Sequence, residues 1–216
     1  MKPASIPMLG TLVIGLSLAG CGLPDRPGLS GAGADGYPRV VARGVAIAPY
    51  DAPHPGSFGD RQVRDLVGGQ VSTLRLGASR NRLRIEDGTG CVSTRLKDWF
   101  APAVAWQDCG RSADWHTAKA RVGVRDRLYP LETGASGRYQ RWATSHTGRR
   151  SERTTDCIVR DAVTLDLGHR VADAFEVRCD DGRVERITWY APAEGPVAYR
   201  EAHRERGLRK AWIRAD

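Results

Sequence analysis

The sequence predicts a mainly β fold, an antiparallel meander that forms a sheet, a sandwich or a partial barrel, with one short helix and two disulfides. Short segments of alternating apolar and polar residues recur at even spacing between turn signals such as ETGASG, LGHR and CDDG. The 216 residues include 25 Gly and 12 Pro, which favours a loop-rich β protein over a helical bundle. Because the strands do not alternate with long helices, a doubly wound α/β fold is not expected.

The strands are predicted from apolar runs and from segments with a period of two. A β-branched run over residues 39–48 predicts the first strand, and residues 71–76 and 81–87 flank GASR as a hairpin. The second half of the chain is predicted to be a meander with strands at about 119–125, 138–144, 156–165, 171–179, 183–190, 196–202 and 207–213.

One short helix is predicted between the first strand and the hairpin. Ser57, followed by Asp60, resembles a helix N-terminal cap. Two glycines at positions 68 and 69 end the segment. The apolar residues between Ser57 and these glycines fall at helical spacing: Val63, Leu66 and Val67.

Four cysteines after residue 21 predict two disulfides, because an even count in an exported chain is typical of oxidised pairs. Closeness in the chain favours Cys91–Cys109 and Cys157–Cys179. Residues 157–167, taken as one strand, place Cys157, Val159, Val163, Leu165 and Leu167 on one face. A hairpin that turns at Gly168 then sets Cys157 opposite Cys179. A zinc site is not expected, since spacings of 18 and 22 residues do not supply close ligand pairs.

The N-terminus has the pattern of a secretory signal. One basic residue, Lys2, precedes an apolar run that ends in small residues before Cys21. The segment Leu18-Ala19-Gly20-Cys21 resembles the lipobox of bacterial lipoproteins. The resemblance implies cleavage before Cys21, lipidation of its thiol and acylation, as by palmitate, of the new amino terminus. A spanning helix is disfavoured, because the run is shorter than about 20 residues and contains glycines.

The predicted organisation is a signal peptide over residues 1–20, a lipidated cysteine and flexible tether over 21–38, and a single β-rich periplasmic domain over 39–216. Gly, Pro and small polar residues without periodicity indicate the tether. Gly22 follows the lipidated cysteine, where an Asp favours the inner membrane in enterobacterial lipoproteins. The resemblance therefore implies anchoring in the outer membrane, facing the periplasm, rather than in the inner membrane.

The C-terminal part carries a second resemblance. Residues 189–192 read Trp-Tyr-Ala-Pro and residues 195–199 read Gly-Pro-Val-Ala-Tyr, after VTL at 163–165 and FEVRC at 175–179. These motifs resemble an uncharacterised proteobacterial envelope β-domain family, over about the last 85 residues of the chain. The sequence departs from that family at 166–168, where Asp-Leu-Gly replaces Pro-Ala-Gly. The resemblance implies a β fold and an envelope location and carries no activity.

No catalytic motif is evident in the sequence. The five histidines are scattered singly, and a P-loop, G-x-S-x-G, H-E-x-x-H and C-x-x-C are missing. We therefore predict no catalytic residue, no metal and no cofactor, and expect a protein that is not an enzyme. The alternative is an envelope hydrolase, acting on cell wall or glycan, that uses paired carboxylates brought together by folding.

The basic residues are the strongest candidates for a binding surface. The formal net charge is +8, and arginines interleaved with aromatic residues can grip anions. An exported lipoprotein does not meet nucleic acid, so the expected partners are the membrane, reached by the lipid anchor, and an anionic envelope component or envelope protein. The sequence thus predicts a non-catalytic binding or structural role at the envelope. The candidate contact residues are Arg138, Arg141, Trp142, Arg149, Arg150, Arg153, Trp189 and Tyr190.

Overall fold

The computed structural model describes residues 36–51, 58–109 and 112–216, and its regular elements are all β-strands. The predicted signal peptide, Cys21, most of the tether and Ser57 lie outside the described residues. The strands are β1 (Arg39–Arg43), β2 (Gly59–Asp65), β3 (Val71–Ser79), β4 (Arg82–Glu86), β5 (Val92–Leu96), β6 (Ala105–Gln107), β7 (Ala118–Asp126), β8 (Ser136–Ser145), β9 (Arg150–Asp166), β10 (Val171–Asp180), β11 (Val184–Ala191), β12 (Gly195–His203) and β13 (Gly207–Arg214).

The strands close into a twelve-stranded antiparallel barrel. Going round the wall, the order is β9, β10, β11, β12, β13, β2, β3, β4, β5, β6, β7 and β8, and β8 pairs back with β9. β1 is a thirteenth strand that pairs with the second half of β9, from Arg39 opposite Asp166 to Arg43 opposite Val163. The predicted antiparallel β fold is confirmed, in its partial-barrel form, because closure pairs both edges of the meander.

The predicted short helix is wrong. Residues 59–65 form β2, in which Val63 pairs with Ser72 of β3 and with Arg214 of β13, and residues 66–68 form the turn that follows. A strand at this position completes the barrel wall and pairs its backbone on both edges. A helix of this length would be marginal, because it forms too few internal hydrogen bonds to offset its nucleation. The helical spacing of Val63 and Leu66 arises because they lie on opposite sides of the wall, in two separate apolar clusters.

The wall has an apolar cluster on each side. The interior cluster contains Phe175, Val177, Tyr190 and Trp212, together with residues from the loops at one end of the barrel. The outer cluster lies on the opposite faces of β9 to β13 and includes Val163, Leu165, Trp189 and Ile213. Tyr37 and Val40 pack against this outer cluster, so the last residues of the predicted tether lie against the barrel.

A β-bulge at Arg160 explains why β9 contributes to both clusters. Val159 pairs with Val177 and Asp161 pairs with Glu176, so Arg160 is an extra residue in β9. Before the bulge, Cys157 and Val159 face the interior; after it, Val163 and Leu165 face outward. The prediction that these four side chains share one face is therefore wrong, since one inserted residue reverses the alternation.

Both predicted disulfides are confirmed. Cys157 lies directly opposite Cys179 in the β9–β10 hairpin and is bonded to it, and Cys91 is bonded to Cys109. The hairpin turns at Gly168, whose φ of 87° lies in the left-handed region that favours glycine. The first disulfide joins the residue before β5 to a residue just after β6, and the second joins the neighbouring strands β9 and β10 on their interior face.

One end of the interior is filled by loops. Trp99 and Phe100, between β5 and β6, pack with Leu128 and Leu131, between β7 and β8, and all four are buried. Gly137 allows one of these loops to approach the wall, because a Cβ there would lie 2.8 Å from the Leu128 backbone nitrogen. We call these four loop residues the apolar plug. The polar side chains of the interior lie toward the opposite end of the barrel, where β11 begins and β12 ends.

Candidate functional site

The predicted basic hairpin, β8 and β9, divides its arginines between the two faces of the wall. Arg141 and Arg153 lie directly opposite each other. They point into the barrel because they alternate with the buried Tyr139 and Thr155. The other candidates of this hairpin are exposed, either on its outer face or in its turn: Arg138, Trp142, Arg149 and Arg150.

The outer face of β7, β8 and β9 carries a groove of about 520 Å³. Trp142 lies in it and is 38% exposed. The ring lies over Gly123, where a Cβ would be 3.4 Å from the indole, so the missing side chain leaves space for it. We call five lining residues the outer patch: Lys119, Arg121, Trp142, Arg150 and Glu152.

The cations of the outer patch have no ion-pair partners within the part of the chain that the structure describes. Lys119, Arg121 and Arg150 surround Trp142, whereas the nearby Arg138 and Arg149 are paired with Asp156 and Asp114. The one carboxylate of the patch, Glu152, accepts a hydrogen bond from the Gln140 amide. The patch therefore combines three unpaired positive charges with an exposed aromatic ring.

Trp189 and Tyr190 do not belong to an exposed contact surface, contrary to the prediction. Trp189 is 1% exposed in the outer cluster, where its Nε1–H donates to Glu176 at 3.2 Å and its ring meets Tyr37 edge-on. Tyr190 is fully buried in the interior, with its ring 5.6 Å from Phe100. The two aromatic residues of the Trp-Tyr-Ala-Pro segment thus pack the two sides of the wall.

A chain of ion pairs runs through the polar part of the interior. Arg153 and Arg186 lie 3.7 and 3.4 Å from Asp181, and Arg186 lies 3.2 Å from Glu201. The hydroxyl of Tyr199 donates to Glu201 at 2.9 Å. Burial opposes ionisation, but Arg186 holds the pKa of both carboxyl groups below their usual values.

Two further guanidinium groups face these ion pairs, and each stacks on a tryptophan ring. Arg141 stacks on Trp106, 5.3 Å from the ring centre, and Arg95 stacks on Trp99 at 5.5 Å. Burial, followed by repulsion from Arg186, lowers the pKa of Arg141 to about 10. Burial also lowers the pKa of Arg95. We call six residues the interior arginine cluster: Arg95, Arg141, Arg153, Arg186, Asp181 and Glu201.

A buried carboxyl group supports the apolar plug. Asp98 accepts hydrogen bonds from the backbone N–H groups of Phe100, at 2.9 Å, and Ala101, at 3.3 Å, and from the Tyr139 hydroxyl at 2.9 Å. Burial raises the pKa of Asp98, against these hydrogen bonds. Because all these contacts hold the loop, Asp98 has a structural role at the closed end of the barrel.

Two further features of the described residues bear on metal binding and on membrane insertion. His116 and His146 bring their rings to 4.4 Å. Across residues 36–51, 58–109 and 112–216, no group of three or more His, Cys, Asp and Glu side chains is arranged to hold a metal ion. In the same ranges there is no helix that is long and apolar enough to cross a membrane.

Several site residues were missed by the sequence analysis. Lys119 and Arg121 join the outer patch from β7, and Arg95 and Arg186 join the interior cluster from β5 and β11. The available signal was alternation: Arg186 is two residues from the buried Thr188, which is two from Tyr190. Such polar residues on an apolar face indicate a functional or ion-paired interior.

The comparisons with known proteins add no relative: no family model, no curated protein and no solved structure matches this chain.

Proposed function

We propose that this protein is an outer-membrane-anchored lipoprotein of the periplasm whose barrel domain has a non-catalytic binding role, and that the outer patch contacts anionic lipid head groups. The observation that carries the proposal is the set of three unpaired cations around Trp142. Each Lys or Arg near an anionic membrane contributes about 1 kcal/mol to binding. An exposed tryptophan suits the head-group level, where its ring is part apolar and part polar.

The lipid anchor is the other part of the proposal and rests on Leu18-Ala19-Gly20-Cys21. An acylated cysteine brings the domain to the membrane surface, and acyl chains combined with a basic patch give stable attachment. We expect the protein from membrane fractions to begin at Cys21 and to carry a diacyl or triacyl mass. A Cys21→Ser variant should lack that mass and leave the membrane fraction. An unlipidated wild-type mass would contradict the anchor.

The hydrolase alternative has less support. The two carboxyl groups that meet in the interior, Asp181 and Glu201, both contact Arg186 and have lowered pKa values. A general acid for glycoside cleavage needs a raised pKa. Asp98 has one, but its oxygens accept hydrogen bonds from the backbone of the loop and from the Tyr139 hydroxyl of β8. Binding is therefore the function we propose.

Fluorescence quenching tests the outer patch directly. The full chain is placed in neutral detergent micelles that contain phosphatidylglycerol or phosphatidylcholine with brominated acyl chains. We expect phosphatidylglycerol to quench Trp142, identified as the signal lost in Trp142→Phe. In Arg121→Gln/Arg150→Gln, partition to phosphatidylglycerol should weaken by about 2 kcal/mol, since two cations are removed.

The matched control removes two exposed charges elsewhere. Arg183 and Arg206 lie in the turns before β11 and β13 and are exposed, so Arg183→Gln/Arg206→Gln changes the net charge equally and should leave the quenching intact. Equal quenching by the two lipids, or full quenching in Arg121→Gln/Arg150→Gln, would contradict the proposal. Binding of polyglutamate in place of lipid would assign the patch to an acidic protein instead.

A further inference from the structure

The interior arginine cluster carries more positive than negative charge. Its four guanidinium groups face two carboxylates, Asp181 and Glu201, an excess of two. At its margins, Arg209 pairs with Glu201 at 3.3 Å, and Asp98 attracts Arg95. Arg209 adds one positive charge and Asp98 adds one negative charge. Lys210 pairs with Asp87 beside them. These neighbours leave the excess of two positive charges unchanged.

Hydrogen-bond donors in this cluster are also in excess. Arg141 makes no ion pair and no hydrogen bond to any residue that the structure describes, and its Nε is buried. Arg95 donates from Nη1 to the Trp99 carbonyl, while its Nε is buried without a partner. The tryptophan rings cover the faces of these guanidinium planes. Their edges, where the N–H groups point, remain available to an acceptor.

Uncompensated charge of this kind is unfavourable in a protein interior. A guanidinium taken out of water is stabilised by opposite charge, by acceptors for its N–H donors and by contact with an aromatic ring. Among the residues that the structure describes, Arg141 has only the last of these as a direct contact, with Trp106. The lowered pKa of Arg141 is the expected result of that deficit. An anion placed between Arg141 and its neighbours would supply both the charge and the acceptors that are missing.

Solvent reaches the cluster. The side chains of Arg153 and Arg186 retain 24% and 27% of their exposure although both point into the barrel. Trp106 stands beside Arg141, with Trp115 stacked on it at 6.4 Å. The apolar plug closes the other end of the barrel, so a ligand would enter from the end where β11 begins.

We propose that the interior arginine cluster is a binding site for a phosphoryl dianion, either free phosphate or the terminal phosphate of a phosphomonoester. Its two negative charges match the excess of two positive charges in the cluster. Its tetrahedral oxygens accept hydrogen bonds from guanidinium edges that arrive from β5, β8 and β9. This site lies on the opposite side of the wall from the outer patch and does not depend on the lipid contact proposed there.

Calorimetric titration of the full chain in neutral detergent tests this proposal. Inorganic phosphate is one probe and glycerol 3-phosphate is the other, each compared with sodium chloride at equal ionic strength. We expect saturable binding of one phosphate per chain and a rise in melting temperature that chloride does not produce. Tighter binding of glycerol 3-phosphate would support a phosphomonoester as the natural ligand, and tighter binding of phosphate would support the free ion.

Two arginines on one strand provide the variant and its control. Arg141→Gln removes an inward guanidinium and should weaken phosphate binding roughly 10- to 100-fold, the loss expected for charge-assisted hydrogen bonds. Arg138→Gln removes an exposed guanidinium three residues away, paired with Asp156 on the outer face, and should bind phosphate as the wild type does. Arg95→Gln gives an independent second variant with the same expected loss if Arg141→Gln does not fold.

The results separate the two proposals. Phosphate binding should persist in Arg121→Gln/Arg150→Gln, and quenching by phosphatidylglycerol should persist in Arg141→Gln. No binding of either phosphate probe to the wild type, or wild-type affinity in both Arg141→Gln and Arg95→Gln, would overturn the interior site and leave the outer patch unaffected.

Discussion

Replacing Arg186 by glutamine is expected to lower the free energy of unfolding by about 3 kcal/mol at neutral pH. Arg186 lies 3.4 Å from Asp181 and 3.2 Å from Glu201, so its loss leaves Glu201 with the exposed Arg209 as its remaining ion-pair partner. Breaking a buried ion pair costs about 3–5 kcal/mol. The lower end of that range applies because the Arg186 side chain is 27% exposed.

The effect of this substitution should depend on pH. In the folded wild type, Arg186 keeps the pKa values of Asp181 and Glu201 below the ordinary values of 3.8 and 4.5. The unfolded chain therefore binds more protons in that range, and the stabilisation is present above these values and lost as the pH falls through the lowered ones. The difference between wild type and Arg186→Gln should be constant near pH 7 and shrink below about pH 4.

Urea unfolding followed by tryptophan fluorescence at pH 7 and pH 3 measures both effects. Arg183→Gln is the matched control, because Arg183 lies three residues away in the exposed turn before β11. It should change the stability by no more than about 0.5 kcal/mol. Equal losses in the two variants, or a loss in Arg186→Gln that does not change with pH, would contradict the ion-pair role of Arg186.

Removing the interior disulfide, with Cys157→Ala and Cys179→Ala together, is expected to cost about 3 kcal/mol from the lost cross-link alone. The two cysteines are 22 residues apart, and closing that loop restricts the unfolded chain. Both are buried, at 3% and 6% exposure. Their replacement also removes sulfur atoms from the interior cluster, so a further loss from packing should add to the first.

The second disulfide provides the comparison. Cys91 and Cys109 are 18 residues apart, so their cross-link restricts the unfolded chain by nearly the same amount. Both residues are only half-buried, and Cys91→Ala/Cys109→Ala should cost less than the interior pair. Urea unfolding of both double variants gives the difference directly. A larger loss for the Cys91–Cys109 pair would show that packing around Cys157 and Cys179 contributes little.

Local patterns were sufficient to predict most strands and both disulfides. β10 and β11 follow apolar alternation closely, and Cys157 meets Cys179 because a hairpin with its turn at Gly168 fixes the pairing of residues on either side. The segment of β2 is predicted as a helix because Val63 and Leu66, three residues apart, would share one face of a helix. The pairing of β2 with β3 and with β13, which is far along the chain, distinguishes the strand from the helix.

In the candidate site too, local patterns predict some features and only the folded sheet shows the others. A basic hairpin at β8 and β9 was predicted, but which arginines point inward depends on the register and on the direction in which the sheet curves. Trp189 and Tyr190 were predicted at a contact surface, because a sequence motif does not indicate that both sides of the wall are covered there. The bulge at Arg160 likewise changes which side chains face the core without any strong local signal.

The sequence alone was enough to predict the antiparallel β class, a meander in the second half of the chain, the two cysteine pairs and the surplus of basic residues, because alternation, turn residues and spacing act over short distances. Only the tertiary structure shows that the meander closes into a barrel, and closure determines which side chains meet on each side of the wall. It sends Arg141 and Arg153 inward to meet Arg95 and Arg186, and it leaves Trp142 outside with Lys119, Arg121 and Arg150. These groupings join strands that are distant in the chain, so only the closed sheet brings their charges together.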